Sequence, residues 1–149
     1  MSRYCPYIDQ NIVYTECREC DRKICSPETF FCLVVGSRLF QDYRKLEQTL
    51  DRLLRNQKKT VIVSGGSVGT DRMAEEYARN RDLPMIIFQA DPELPGKQAD
   101  REKAERMNRF ISKQSKRGVV AFWNGESPGT KHSLDHANKY HNDIRIISI

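Results

Sequence analysis

The chain has 149 residues, a length that suits one globular core and is too short for two full domains. Hydrophobic residues make up 38% of the chain and charged residues 30%, which excludes a disordered or fibrous protein. No stretch approaches the ~20 apolar residues that cross a bilayer, and the first ten residues lack the apolar segment of a secretion signal. We therefore expect a cytoplasmic protein without a membrane partner. The net charge of +5 suits a phosphorylated ligand and a nucleic-acid backbone equally well.

Four of the five cysteines lie near the start of the chain, at Cys5, Cys17, Cys20 and Cys25. Clustered thiols in a reducing compartment are more often metal ligands than disulfides, and a Cys-x2-Cys step can bring two sulfurs onto one tetrahedral ion. A segment this short cannot bury enough apolar surface to fold alone. We therefore predict that residues 1–28 form a cysteine-rich module ordered by a structural zinc ion. Reduced thiols without metal, an iron–sulfur cluster and disulfides stay open as alternatives.

Beyond Pro27, short apolar runs alternate with stretches in which apolar residues recur at helical spacing. The runs predict strands at 30–35, 60–64, 84–88, 119–123 and 144–149, and the stretches predict helices at 42–57, 70–81, 100–116 and 127–141. Prolines and a glycine between residues 89 and 99 indicate an exposed loop. Because such alternation with short connections requires a parallel sheet covered on both faces, we predict that residues 29–149 form a doubly wound, five-stranded α/β domain.

Glycine-rich turns follow three of the predicted strands. Gly36-Ser37-Arg38 follows the first strand, Gly-Gly-Ser-Val-Gly-Thr-Asp at 65–71 follows the second, and Asn-Gly-Glu-Ser-Pro-Gly-Thr at 124–130 follows the fourth. The carboxyl ends of parallel strands meet at one edge of a sheet, where the amides of a glycine-rich turn and of a helix N-terminus can hold a phosphate. Tight backbone geometry and helix capping would explain any one of these turns, but three together predict an anion pocket.

The order and spacing of these motifs match a known family. The segments Val-Val-Gly-Ser-Arg, Ser-Gly-Gly-Ser-Val-Gly-Thr-Asp and Ala-Phe-Trp-Asn-Gly-Glu-Ser-Pro-Gly-Thr-Lys-His resemble the YspA-like, cpYpsA-related branch of the SLOG superfamily. That superfamily also includes the cytokinin-activating LOG phosphoribohydrolases and DNA-processing protein A. The resemblance covers roughly residues 30–149 and implies a Rossmann-like sheet that binds a nucleotide or a nucleotide-derived molecule.

By position, the resemblance implies ligand contacts from the three turns and from one helix. These contacts are Gly36, Ser37, Arg38, Gly65, Gly66, Ser67, Gly69, Thr70, Asp71, Asn108, Ser127, Gly129 and Thr130. Relatives often carry an Arg-Asn pair where this chain has Met107-Asn108, so the asparagine matches and the arginine does not. Arg101 or Arg106 could replace that arginine from a neighbouring turn.

Two of the side chains near these turns have a second interpretation. Arg38 could pair with a phosphate through its planar guanidinium, or with a carboxylate on a helix. Trp123 could stack on a base or pack in the core.

The residues after the third turn bear on the reaction class. In the hydrolase branch a glutamate closely follows the Gly-Thr step, whereas Gly129-Thr130 is followed here by Lys-His-Ser-Leu-Asp. Without a carboxylate at the matching place, hydrolysis of an N-glycosidic bond lacks its best acid–base candidate, and we assign no catalytic residue.

We therefore predict that the protein binds, and senses or sequesters, a nucleotide or an NAD- or ADP-ribose-derived ligand, with no organic cofactor identified. The alternatives are a LOG-type nucleotide hydrolase and single-stranded nucleic-acid binding of the DNA-processing protein A type. Relatives with this fold often associate through exposed helices, which implies a homo-oligomer.

Overall fold

The computed structural model describes residues 27–149 in full and, before them, the backbones of two short strands. These strands are β1 (Ser2–Arg3) and β2 (Ile12–Thr15). The chain continues through β3 (Thr29–Gly36), α1 (Tyr43–Leu54), β4 (Lys59–Ser64), α2 (Thr70–Asn80), β5 (Met85–Phe88), α3 (Gly96–Ser112), β6 (Lys116–Trp123), α4 (Pro128–Lys139) and β7 (Ile144–Ser148). None of these helices is long and apolar enough to cross a membrane. Cys5, Cys17, Cys20 and Cys25 lie outside the described residues, so the zinc site stays a prediction.

In the described part of the chain, the strands form one sheet in the order β1-β2-β5-β4-β3-β6-β7. The strands from β3 to β7 are parallel, which confirms the predicted α/β fold with five parallel strands and four helices. The sheet extends further than predicted, because β2 pairs antiparallel with β5 and places Ile12 opposite Phe88. The strand order reverses direction between β3 and β6, which is where ligands bind in sheets of this kind.

The central strand β3 is buried on both faces, as the apolar run at its position predicts. Its alternate side chains Phe31, Leu33 and Val35 pack against α3 and α4, which contribute Met107, Ile111, Leu134 and Ala137. Cys32 and Val34 point the other way, into the layer formed by α1 and α2. One helical layer therefore covers each face of the sheet, so the turns at the edges of the sheet remain available for function.

Helix α3 begins earlier and ends earlier than predicted. Pro95 has an extended backbone (φ −74°, ψ 146°), and its carbonyl oxygen accepts the first helical hydrogen bond from the amide of Ala99 at 3.0 Å. At the other end, the amides of Lys113 and Gln114 close the last turn on α3 carbonyls, which frees Lys116 to pair with Phe30 at the start of β6. The loop between β5 and α3 is therefore shorter than the predicted loop at 89–99, and α3 begins nearer to the end of β5.

Asn108 joins α3 to α4 and to the residue that precedes β7. Its side chain is fully buried, and its amide nitrogen donates to the carbonyl oxygens of Ala104 (3.0 Å) and Ser133 (3.3 Å). The side-chain amide of Asn142 donates to Asn108 Oδ1 and to its carbonyl oxygen, at 3.2 and 3.1 Å. Asn142 lies just before β7, on the side of the sheet where the strands begin, so Asn108 is enclosed within the fold on that side.

We expect Asn108→Ala to lower the free energy of unfolding by about 2 kcal/mol, because the substitution removes the buried side-chain hydrogen bonds to Ala104, Ser133 and Asn142 and leaves the Asn142 amide only the Asn108 carbonyl oxygen. Urea denaturation measures this change. The control is Asn138→Ala, which truncates an exposed asparagine of α4. A loss no larger than that of the control would contradict the bonding role of Asn108.

Candidate phosphate-binding site

Three turns meet at the edge of the sheet where β3, β4 and β6 end, and we call this edge the rim. The first turn is residues 36–38 after β3, the second turn is 65–71 after β4, and the third turn is 124–130 after β6. Because β3 pairs with both β4 and β6, the first turn lies between the other two. The predicted convergence of the three turns follows from this strand order.

The first turn is bonded to the second turn and to strand β6 through Ser37. The carbonyl oxygen of Ser37 accepts hydrogen bonds from the amide and from the hydroxyl of Thr70, at 3.2 and 2.9 Å. The amide of Ser37 donates to the carbonyl oxygen of Phe122 in β6 at 3.1 Å. Ser37 and Thr70, two of the predicted ligand contacts, are both buried, so they lie beneath the surface of the rim. These bonds fix the start of α2 against the end of β3.

Two glycines make this contact sterically feasible. A Cβ on Gly36 would lie 2.6 Å from both the carbonyl oxygen of Phe122 and the hydroxyl oxygen of Thr70. A Cβ on Gly69 would lie 2.4 Å from the carbonyl oxygen of Arg38, and its φ of +80° disfavours any other residue. Gly36 and Gly69 are therefore required by the packing of the first turn against the second, whether or not a ligand binds.

A lysine from α3 reaches the second turn. The Lys103 ammonium donates to the carbonyl oxygen of Gly65 at 2.7 Å, and the residue is buried. A Cβ on Gly65 would lie 3.0 Å from the Asp71 carboxylate oxygen Oδ2 and 3.3 Å from Lys103 Nζ, so the carboxylate and the ammonium both lie beside this glycine. The same Asp71 oxygen accepts from the amide of Ser67 at 3.2 Å, which closes the turn. The second turn therefore holds a buried ammonium group beside a carboxylate.

Sequence reasoning missed Lys103, although a signal for it exists. Positions 99, 103, 107 and 111 are four apart and all buried on α3, and three of them are Ala99, Met107 and Ile111. Lys103 therefore places a charge on the apolar stripe of an amphipathic helix, where a charge needs a partner. Arg106, one of the proposed substitutes for the missing arginine, instead pairs with Glu102 at 2.8 Å and donates to the carbonyl oxygen of Gln89.

A second carboxylate lies beneath the second turn. Ser64, the last residue of β4, donates to Glu75 Oε2 at 2.8 Å and accepts from the amide of Gly66 at 3.2 Å. Glu75 is buried one helical turn after Asp71. The turn is thus supported by a polar network that uses the amides of Gly66 and Ser67 internally.

Burial raises the pKa of the Asp71 carboxyl to about 6. The hydrogen bond from the Ser67 amide and the positive charges of Lys103 and Arg38 act in the opposite direction, while the negative charge of Glu75 adds to the rise. Near neutral pH Asp71 is therefore mostly ionised, and it takes up a proton in mild acid.

Arg38 lies at the surface of the rim. Its side chain is 62% exposed, and its guanidinium pairs with the carboxylate of Asp100 at 3.2 Å. This is the helix-carboxylate pairing considered from the sequence. Exposed pairs of this kind contribute little to stability, so an incoming phosphate can replace Asp100 as the partner at low cost.

The third turn is built around its own side chains. Asn124 Oδ1 accepts from the amides of Glu126 (2.9 Å) and Ser127 (3.4 Å), and the carbonyl oxygen of Ser127 accepts from the indole N–H of Trp123 at 3.1 Å. Trp123 also packs against the core, so its indole N–H serves to fold the turn. Thr130 is buried with its hydroxyl 3.3 Å from Ser127 Oγ. Gly129 is exposed, and no atom would meet a Cβ there within 4 Å.

Two of the helices that begin at the rim have no side-chain cap. Helix α1 is capped by Asp42, whose carboxylate accepts from the amide of Lys45, whereas α2 after Gly69 and α4 after Ser127, like α3 after Pro95, lack a side-chain hydrogen bond of this kind. The first N–H groups of a helix have no partner within the helix, and the helix dipole makes that end positive. In α2 the Thr70 amide is already bonded to Ser37, so the following amides of α2 and the first amides of α4 are the ones suited to hold an anion.

Some features do not belong to the rim. Asn108, a predicted ligand contact, is enclosed between α3 and α4 as described above. A cavity of about 230 Å³ is lined by Thr29, Lys59 and Pro84, at the opposite edge where the strands begin. Among residues 27–149, no group of three histidine, cysteine or acidic side chains lies close enough together to hold a metal ion. His132 and His136, which are four residues apart on α4, therefore have no third metal ligand in this part of the chain.

The sequence model of the YspA, cpYpsA-related SLOG family matches residues 32–94 of the chain. The matched segment runs from β3 to the loop before α3, so it contains the first and second turns and supports the SLOG resemblance inferred from them. No curated protein matches the chain.

Two solved structures are similar to the chain in fold. One is DNA processing protein A from Helicobacter pylori, described for its single-stranded DNA binding mode, with a TM-score of 0.60 and 18% identity over 93% of this chain and 73% of that one. The other is DNA processing protein A from Streptococcus pneumoniae, with a TM-score of 0.61 and 18% identity over 93% of this chain and 55% of that one. The chain thus spans about half the length of the second protein. At this identity the likeness shows a shared fold.

We expect Gly36→Ala to lower the free energy of unfolding by about 2 kcal/mol, because the added methyl group overlaps Phe122 and Thr70. Thermal or urea unfolding measures the loss. Gly96→Ala is the matched control, since no atom lies within 4 Å of a Cβ at Gly96. Equal stability of the two variants would contradict the close approach of the first and second turns.

We expect Asp71 to make stability fall as pH rises from about 4 to about 6. The folded state, with a pKa of about 6, binds a proton there more tightly than the unfolded state, whose value is near 3.8, so deprotonation favours unfolding in this window. Asp71→Asn keeps an oxygen for the Ser67 amide but does not ionise. The wild type should lose on the order of 1–2 kcal/mol relative to this variant across the window.

Urea denaturation at a series of pH values tests this. Asp135→Asn, which removes an exposed carboxylate of α4, is the control for the loss of one negative charge. If the stability difference between the wild type and Asp71→Asn does not change with pH, the raised pKa is wrong.

Proposed function

We propose that the rim binds single-stranded nucleic acid, chiefly through its phosphates. The observation that carries this proposal is the buried Lys103 ammonium held against the second turn, beside the uncapped N-terminus of α2. The fold likeness to DNA processing protein A, one of whose structures is described for single-stranded DNA binding, supports nucleic acid over a free nucleotide as the ligand.

The second turn has the chemistry for a phosphate. The carbonyl oxygen of Gly65 takes one of the three N–H donors of the Lys103 ammonium, and the others can be donated to a ligand. Apart from the Thr70 amide, which is bonded to Ser37, the N–H groups of the first turn of α2 add donors and a positive dipole end. Hydrogen bonds from a charged donor to a charged acceptor are shorter and stronger than neutral ones, so a phosphate bound here gains both charge and geometry.

The other cations near the turns are spread over the surface. Arg38 comes from the first turn, Arg72 from the first helical turn of α2, and Lys131 from the first helical turn of α4, and all three are exposed. A site for a small molecule encloses most of its ligand, whereas a nucleic-acid strand contacts cations placed along an open surface. The spread of these charges therefore favours a polyanion.

A free nucleotide or an ADP-ribose-derived molecule carries the same phosphate chemistry. Such a ligand would use the second turn and leave the cations of the first and third turns unused. It is the competing ligand in the experiment below, where its binding is compared with that of an oligonucleotide.

We expect the protein to bind a fluorescently labelled thymidine oligonucleotide at low salt, and Lys103→Met to weaken that binding about tenfold, since one charged hydrogen bond to a phosphate is lost. Fluorescence anisotropy measures the affinity at several salt concentrations. The slope of log affinity against log salt should fall by about one for the variant.

Lys113→Met is the control, because it removes the same charge from an exposed position at the other end of α3. Thermal unfolding of both variants separates loss of fold from loss of binding. The proposal is wrong if the wild type does not bind the oligonucleotide at low salt, or if ADP-ribose or AMP binds and the oligonucleotide does not.

A further inference from the structure

Two exposed apolar side chains lie at the rim. Among residues 27–149 the large apolar side chains with the greatest exposure are Leu39 (87%), Val68 (56%) and Ile146 (55%). Single apolar side chains are common on protein surfaces and need no explanation. Leu39 and Val68 differ from these because they belong to loops that are bonded to each other beside the charges of the second turn.

The contact between the loops brings Leu39 and Val68 near each other along the backbone. The carbonyl oxygen of Ser37 bonds to Thr70, and the backbone of Arg38 lies against Gly69. Leu39 follows Arg38 in a turn that the Phe40 amide closes on the Ser37 carbonyl oxygen at 3.4 Å, and Val68 precedes Gly69. Each of the two apolar residues is therefore one residue away from the contact between Arg38 and Gly69.

The exposure of Leu39 does not come from a loose loop. The amide of Leu39 donates to Ser37 Oγ at 3.1 Å, and the next residue, Phe40, stacks on Phe122 with ring centroids 5.2 Å apart and planes inclined by 16°. The backbone of Leu39 is therefore held by the contacts of Ser37 and Phe40. A loop that is already ordered contributes to binding without a large ordering cost.

We propose that Leu39 and Val68 form an apolar platform on which a nucleobase of the bound strand packs. This rests on the proposed function: a strand whose phosphate lies at the second turn carries its bases within reach of the same loops. Arg38, the residue before Leu39, carries an exposed guanidinium that pairs with Asp100, so charge and apolar surface come from adjacent residues of this loop. Contact with the faces of bases does not depend on sequence, because every base has an apolar face.

The test uses two oligonucleotides of equal length and charge, one of thymidine and one with abasic residues at the same positions. The double variant Leu39→Ser/Val68→Ser should bind the thymidine strand about fivefold more weakly than the wild type does, because apolar contact is lost. Its affinity for the abasic strand should not change. Ile146→Ser, which alters an exposed apolar residue of β7, is the control and should bind both strands as the wild type does.

The outcomes separate this proposal from the proposed function. If the wild type binds neither strand, phosphate binding at the rim fails and the platform fails with it. If the wild type binds and Lys103→Met weakens binding, but the double variant keeps the full preference for thymidine over abasic strand, only the platform is overturned. A double variant that weakens both strands equally also overturns it. Should its thermal unfolding show damage, Leu39→Ser alone gives the same comparison at the more exposed position.

Discussion

The rim depends on one backbone contact, in which the carbonyl oxygen of Ser37 accepts two hydrogen bonds from Thr70. The contact brings the start of α2 to the end of β3 at a distance that leaves no room for a Cβ at Gly36 or Gly69. It sets the direction in which the N-terminus of α2 points and holds the loops of Leu39 and Val68 against each other. Glycine at these two positions is thus explained by packing, and the proposed phosphate site uses the amides that this packing leaves nearby.

The charges of the second turn are costly for folding. A lysine at position 103 lies on the buried stripe of α3, where an apolar residue would be simpler to accommodate. Its ammonium is balanced by the Gly65 carbonyl oxygen and by the nearby Asp71 carboxylate. Asp71 is itself costly to ionise, as its raised pKa indicates. Positions that break the local rules of a helix in this way are often those that serve function.

The sequence predicted the sheet because its strands are apolar on both faces, and it predicted the meeting of the turns because parallel strands end at one edge. It did not predict the start of α3, since the proline and glycine at 95 and 96 indicate a loop when read alone, whereas Pro95 here precedes the first helical turn. The role of Lys103 was not predicted, because its partner, Gly65, is distant in the chain. Asn108 was placed among the ligand contacts by resemblance, and only the packing of α3 on α4 shows that its amide is enclosed. Strand β2 has four residues, Ile-Val-Tyr-Thr, that favour strands, but so short a run does not show that it pairs with a strand far along the chain.

The pairing of β2 with β5 has a consequence for the order in which the chain folds. Ile12 lies opposite Phe88, so the partner of this early segment is synthesised only after two of the helices have followed it. Closing so long a loop is entropically unfavourable until β4 and β5 have assembled beside β3. We therefore expect β2 to join the sheet after β5 has paired with β4, although β2 precedes both strands in the chain.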